Sequence, residues 1–133
     1  MKYILLAGRI FYSFIFLMTI MSHFSRGAID YAKSQGVPAA SVLVPFSGIM
    51  AFVGALSIIL GYKAKWGALL IILFLIPVTF TMHAFWRSTD AMQSQMQMAM
   101  FMKNISLLGA AMIIVYFGSG PLSLDKESVS VKQ

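Results

Sequence analysis

The sequence predicts an all-α membrane protein, a four-transmembrane-helix bundle. Three observations carry this. First, 59% of the 133 residues are apolar and 11% are charged, whereas a soluble domain carries about 25% charged residues. Second, the mean hydropathy is +0.84. Third, four apolar runs, at about 3–25, 41–62, 66–87 and 92–118, are each long enough to cross about 30 Å of hydrocarbon as a helix. They fit one membrane domain over residues 1–121, followed by a short polar tail at 122–133.

Composition excludes several chemistries. There are no cysteines, so disulfides, thiolate metal sites, iron–sulfur clusters and dithiol exchange are absent. The formal charge is +6, but the basic residues are scattered along the chain. Short basic flanks on apolar spans are orientation signals; nucleic-acid binding needs a clustered basic face, and none is visible. The distribution of Lys and Arg, with the short basic turn at 61–65, favours both termini in the cytoplasm.

In the first span Arg9, Tyr12, Ser13, Phe16, Ile20 and His23 share one helical face. Arg9 interrupts the early run and no A-x-A-like cleavage site follows, which argues for a retained span rather than a signal peptide. The connection over 26–40 is punctuated by Gly27, Gly36 and Pro38, with a short surface helix expected over Ala28–Lys33. The second span carries Pro45 in its first turns, where a missing amide donor costs little. Its stripe of Ser47, Ala51, Gly54 and Ala55 permits close helix approach.

The third span contains Pro77, which removes one helical hydrogen bond. It then places Thr79, His83 and Trp86 at helical spacing before Arg87. Beyond it, Asp90 is one of three candidate caps for a fourth helix. Met92, Met96 and Met100 line one side of that helix and Gln93 and Gln97 another. The methionines are expected to pack flexibly rather than to bind copper. Gly118–Pro121 ends the helix.

The polar residues fall into two layers. One holds Arg9, the 62–65 turn and Asp125. Arg9 either snorkels to head groups or forms a structural ion pair with Asp125. The other layer holds His23, His83, Trp86, Lys103 and Asn104, with Thr79 nearby, and these six are the ligand-binding candidates. His83 either bonds a neighbouring helix or faces a small-molecule pocket. His23 reads first as an interfacial polar group and Trp86 as a belt aromatic. Lys103 and Asn104 lie inside an apolar helix, where a lone charge needs a counter-group or water; Asp90 or a bound anion would serve Lys103. Two histidines at one depth are compatible with haem ligation in principle, but nothing else asks for haem. No metal set, no intrinsic cofactor and no hydrolytic constellation is visible, so no residue is assigned a catalytic role.

Several stretches together resemble the DoxX family of small bacterial membrane proteins. They are Gly8-Arg9-Ile10-Phe11, His23-Phe24, Gly36-Val37-Pro38 and Gly61-Tyr62-Lys63. The Pro-x-Thr-x-x-x-His-x-Phe-Trp pattern from Pro77 to Trp86, Phe101-Met102-Lys103-Asn104 and Gly118 to Asp125 complete the set. The resemblance implies a multi-pass protein of the bacterial cytoplasmic (inner) membrane. It also implies a redox association: quinone as ligand and redox enzymes as partners. The alternatives are a non-catalytic scaffold that anchors partner proteins and a small lipid- or solute-binding carrier, the latter dimerising through the small-residue stripe of the second span.

Overall fold

A computed structural model of the chain describes residues 1–125. It contains five α-helices: α1 (Lys2–Thr19), α2 (Arg26–Ser34), α3 (Ala40–Leu60), α4 (Ala64–Met82) and α5 (Ala91–Phe117). Two 3-10 turns, Ile20–Phe24 and Phe85–Arg87, follow α1 and α4. Four segments are long and apolar enough to cross a membrane: Lys2–Phe24, Ala40–Leu60, Ala64–Arg87 and Ala91–Phe117. The four-helix membrane bundle is therefore observed, with α2 as the short extra helix expected in the first connection.

Local chemistry sets several ends. Ser25 caps α2 by accepting from the Ala28 amide at 3.2 Å, and Asp90 caps α5 by accepting from the Gln93 amide at 2.8 Å. The α3–α4 turn is tight because Gly61 and Lys63 both adopt the left-handed conformation, φ +62° and +49°. Glycine is required at 61 for a second reason. A Cβ there would collide with the Arg9 guanidinium and with Ser123.

The helices pack in the order α1–α3–α4–α5, and the α3–α4 pair has the most extensive interface. Gly54 and Gly67 make this possible: a Cβ on either would lie 2.7 Å from the other's carbonyl oxygen. The small-residue stripe of the second span is thus used inside the protomer, against α4, and not as the dimer surface the carrier alternative required. Ala51, Ala55, Ile58, Ala68, Ile71, Phe74 and Leu75 fill the core between these helices, with Phe16 added from α1. Exposed Leu, Ile, Phe and Met side chains surround this core on α1, α3, α4 and α5, as hydrocarbon requires of its solutes.

α1 and α5 scarcely touch backbone to backbone. They are tied instead by side chains. Tyr12 Oη donates to the Leu107 carbonyl at 3.2 Å. One and two residues past the α5 C-cap, the chain turns back as a hook over residues 119–125. Arg9, buried on α1, donates through Nη1 to the Ser119 carbonyl at 2.8 Å and through Nη2 to the Leu122 carbonyl at 2.5 Å. The hook in turn caps the α3–α4 turn. The amides of Leu124 and Asp125 donate to the carbonyls of Leu60 and Gly61, which α3 leaves unpaired. Asp125 Oδ2 accepts from the Lys63 amide at 2.6 Å and from Ser119 Oγ at 3.0 Å.

This arrangement corrects the expected direct Arg9–Asp125 ion pair. Both residues serve the hook, but they meet on opposite sides of Ser119. Backbone carbonyls take the guanidinium, and the carboxylate goes to an amide and a hydroxyl. Among the described residues the one ion pair is Lys33–Asp30, at 3.4 Å on the surface. The start of the polar tail, 122–125, is built into the bundle; 126–133 lie outside the described residues.

The hook makes a stability prediction. Replacing Arg9 by Met leaves two carbonyls without donors, and hydrogen bonds to charged groups contribute about 1.5–3 kcal/mol each. Arg9→Met should lower the unfolding free energy in detergent by about 3 kcal/mol. Asp125→Ala should cost about 1–2 kcal/mol, in the range of a lost helix cap. Chemical denaturation of the purified protein measures both.

Candidate functional site

A cavity of about 720 Å³ lies at the His83 end of the bundle, within the usual range for small-molecule sites. It exists because α1 stops short. The helix gives way to its 3-10 turn at Ile20, and His23 then presses against Gly48 of α3, where a Cβ would sit 2.5 Å from His23 Cβ. α2 lies across the gap. Ile15, Phe16, Val44, Met50, Phe74 and Leu107 make much of the wall apolar. Ile15, Phe16 and Thr19 of α1 and Lys103, Asn104 and Leu107 of α5 border the cavity from two helices that have few backbone contacts with each other.

Few polar groups enter this space, and their hydrogen bonding is informative. Tyr31 on α2 donates to the Met82 carbonyl at 3.0 Å. Because that carbonyl only accepts, the Tyr31 proton is committed there. Tyr31 Oη therefore accepts from Gln97 Nε2 at 3.1 Å, which turns Gln97 Oε1 toward His83 Nδ1 at 2.8 Å. An amide oxygen only accepts, so Nδ1 of His83 carries the proton. Neutral His83 is left with Nε2 as a bare acceptor. His23 reaches the same state more simply, since its Nδ1 lies 2.9 Å from the Thr19 carbonyl. Among the described residues neither Nε2 has a hydrogen-bond partner, and neither is sealed from the surrounding space.

Asn104 is the third group. It is 5% exposed and lines the cavity, yet its amide makes no hydrogen bond with any described residue. Among the described residues the side-chain atoms that are both fully enclosed and unpartnered are Arg9 Nε and Ser13 Oγ, so the Asn104 amide remains reachable. An unpaired amide in an apolar wall is costly unless something occupies the space beside it.

The structure divides the six expected site residues. His23, His83, Lys103 and Asn104 all line the cavity. Thr79 is buried between helices but off the cavity wall, and Trp86 is half exposed and packs on Phe85 and Phe101 with ring centroids 5.1 and 5.8 Å away. The expected single stripe of Thr79, His83 and Trp86 breaks because α4 ends at Met82. The His83–Gln97 bond and the aromatic cluster of Phe80, Phe85, Trp86 and Phe101 favour a 3-10 turn over another helical turn.

Lys103 is exposed at the rim, its Nζ 3.6 Å from Met100 Sδ. Asp90 is not its partner, being occupied in capping α5. Nor do the two histidines share a depth. The His23 ring sits 5.7 Å from that of Phe74, which precedes His83 on α4 by nine residues, about 13 Å of helix.

Sequence reasoning did not single out Tyr31 or Gln97 as site residues. Tyr31 belongs to a short polar connection and Gln97 to a Met/Gln repeat, so neither has a local signature. A polar recess of about 200 Å³, lined by Gln35, Arg87, Ser88, Thr89 and Gln93, lies on the far side of Tyr31 and Gln97. Tyr31 and Met82 border both spaces, while Gln97 borders the polar one.

The inferred tautomers are checkable by 15N NMR of the imidazoles. His83 and His23 should both appear as Nδ1–H. Gln97→Leu should release His83 from that form while leaving His23 in it.

Comparison with known proteins bears on the whole bundle. The family model described as DoxX matches residues 4–84. The chain is 30% identical over 101 residues to the inner membrane protein YphA of Escherichia coli, covering 75% of this chain and 71% of that one. It is 27% identical over 100 residues to the inner membrane protein YqjF of the same organism, with the same coverage. It is also 23% identical over 125 residues to the ER-derived vesicles protein ERV29 of Saccharomyces cerevisiae, covering 94% of this chain but 34% of that protein. No solved structure matches. With its multi-pass helices, its matched family model and its inner-membrane relatives, the chain belongs to the DoxX family.

Proposed function

We propose that the cavity holds a membrane-dissolved ring of the quinone class, as dione or as reduced diol, and that the protein thereby serves redox enzymes of the same membrane as a quinone-linked subunit. The observation that carries this reading is the Asn104 amide, unpaired among the described residues, in a cavity whose wall is mostly apolar. A ligand that fits must be mostly apolar and carry a few oxygen functions. Three further features support it. Phe16 and Phe74 supply aromatic surface, with ring centroids 6.1 Å apart and edge-to-face. His23 and His83 supply hydrogen-bonding nitrogens. α1 and α5 both border the cavity and have few backbone contacts with each other, and a membrane-dissolved ligand would enter between them.

The test is direct binding. The purified protein in lipid nanodiscs is titrated with 2-methyl-1,4-naphthoquinone and with its diol under anaerobic conditions. Saturable binding of either form is expected, and Asn104→Leu should weaken it at least about tenfold, the loss expected for one buried hydrogen bond of about 1.4 kcal/mol. Tyr116→Ala, on the exposed face at the Arg9 end, should bind as the unaltered protein does. Absence of saturable binding by both forms overturns the reading.

A further inference from the structure

The cavity's polar groups are not symmetric between donors and acceptors, and the asymmetry bears on which form of a ligand is held. His23 and Asn104 border the same cavity at a similar level along the bundle. Gln97 and Asn104 are seven residues apart on α5, so Asn104 lies about 10 Å below the level at which Gln97 meets His83. That is close to the level of Phe74, against which the His23 ring packs. With Nδ1 donating to the Thr19 carbonyl, the neutral form of His23 offers an acceptor at Nε2. Asn104 offers both an N–H and a carbonyl oxygen.

We propose that this end of the cavity, between His23 and Asn104, recognises a hydroxyl group, so that the protein holds the dihydroxy form of a ring more tightly than the dione. A hydroxyl donates to His23 Nε2 and accepts from the Asn104 N–H at once. A carbonyl can only accept. It would satisfy Asn104 but set its lone pairs against those of His23 Nε2, leaving that acceptor buried beneath the ligand without a donor. Sites built to bond a hydroxyl discriminate strongly against the analogue that lacks it, because their own polar groups are then stranded.

The other end carries the same sign. The Met82–Tyr31–Gln97 chain fixes His83 as an acceptor at Nε2 too. Whichever histidine the ring meets, it meets a lone pair. Lys103 opposes the trend, since its ammonium would donate to a carbonyl. It stands at the level of Asn104, its neighbour on α5, but on an exposed face of that helix, so it reaches the ligand from the side.

The inference rests on the reading of the cavity as a ring-binding site, and one experiment separates the two. In nanodiscs under anaerobic conditions, the diol of 2-methyl-1,4-naphthoquinone should bind about tenfold or more tighter than the dione. For a two-electron couple that corresponds to a bound reduction potential about 30 mV above the free one per tenfold. His23→Phe keeps the ring and removes the acceptor; it should erase most of the preference by weakening the diol alone. Lys103→Met should widen the preference by weakening the dione.

Equal affinity for the two forms, or tighter dione binding by the unaltered protein, overturns the hydroxyl assignment while the ring-binding reading stands. Failure of both forms to bind overturns both. The comparison of the two ligands on the unaltered protein decides the question even if His23→Phe does not fold.

Discussion

One buried guanidinium holds the two ends of the chain together. Arg9 sits in the first span, the hook at 119–125 follows the last, and two carbonyls accept from the side chain. The choice of carbonyls has a physical basis. A guanidinium in a membrane interior needs acceptors, and the chain just past α5 has carbonyls that helix geometry leaves free. One interaction therefore meets two needs. It also positions the hook so that its own amides and Asp125 can finish the α3–α4 turn. The Arg9 end of the bundle becomes a closed knot of backbone, with Gly61 as the residue small enough to let it form.

The opposite end is organised by different means. α1 ends early, α4 ends at Met82, and a short helix lies across the opening. What remains is space, and its few polar groups have their protons placed by a chain of one-way choices. A carbonyl commits Tyr31, Tyr31 commits Gln97, and Gln97 commits His83. A separate carbonyl commits His23. Two imidazoles that would be ambivalent in water are thereby given one hydrogen-bonding character toward the cavity.

Much of the fold was legible because lipid imposes simple rules. Length and composition marked four spans, and the period of Arg9, Ser13 and Phe16 marked the inward face of the first; all three are buried. His23, His83 and Asn104 also stood out as polar side chains in apolar runs, and all three line the cavity. Other features depended on contacts that no local pattern encodes. Arg9 advertised its need for acceptors, but carbonyls have no residue signature, and Asp125 was the visible alternative. Periodicity carried the third span on to Arg87 because it could not register that His83 leaves the helix to meet Gln97. The small-residue stripe of α3 announced close packing without saying whether the neighbour was α4 or another copy. Tyr31 and Gln97 acquire meaning only once three separate segments meet.

The Tyr12–Leu107 bond divides the α1–α5 seam into unequal halves. Below it the two segments are pinned through Arg9; above it they have few backbone contacts. The rigid α3–α4 pair, locked where Gly54 meets Gly67, does not depend on how far that upper half is spread. Above the Arg9 hook, one phenol hydroxyl is thus the hydrogen bond that joins the first and last spans among the described residues.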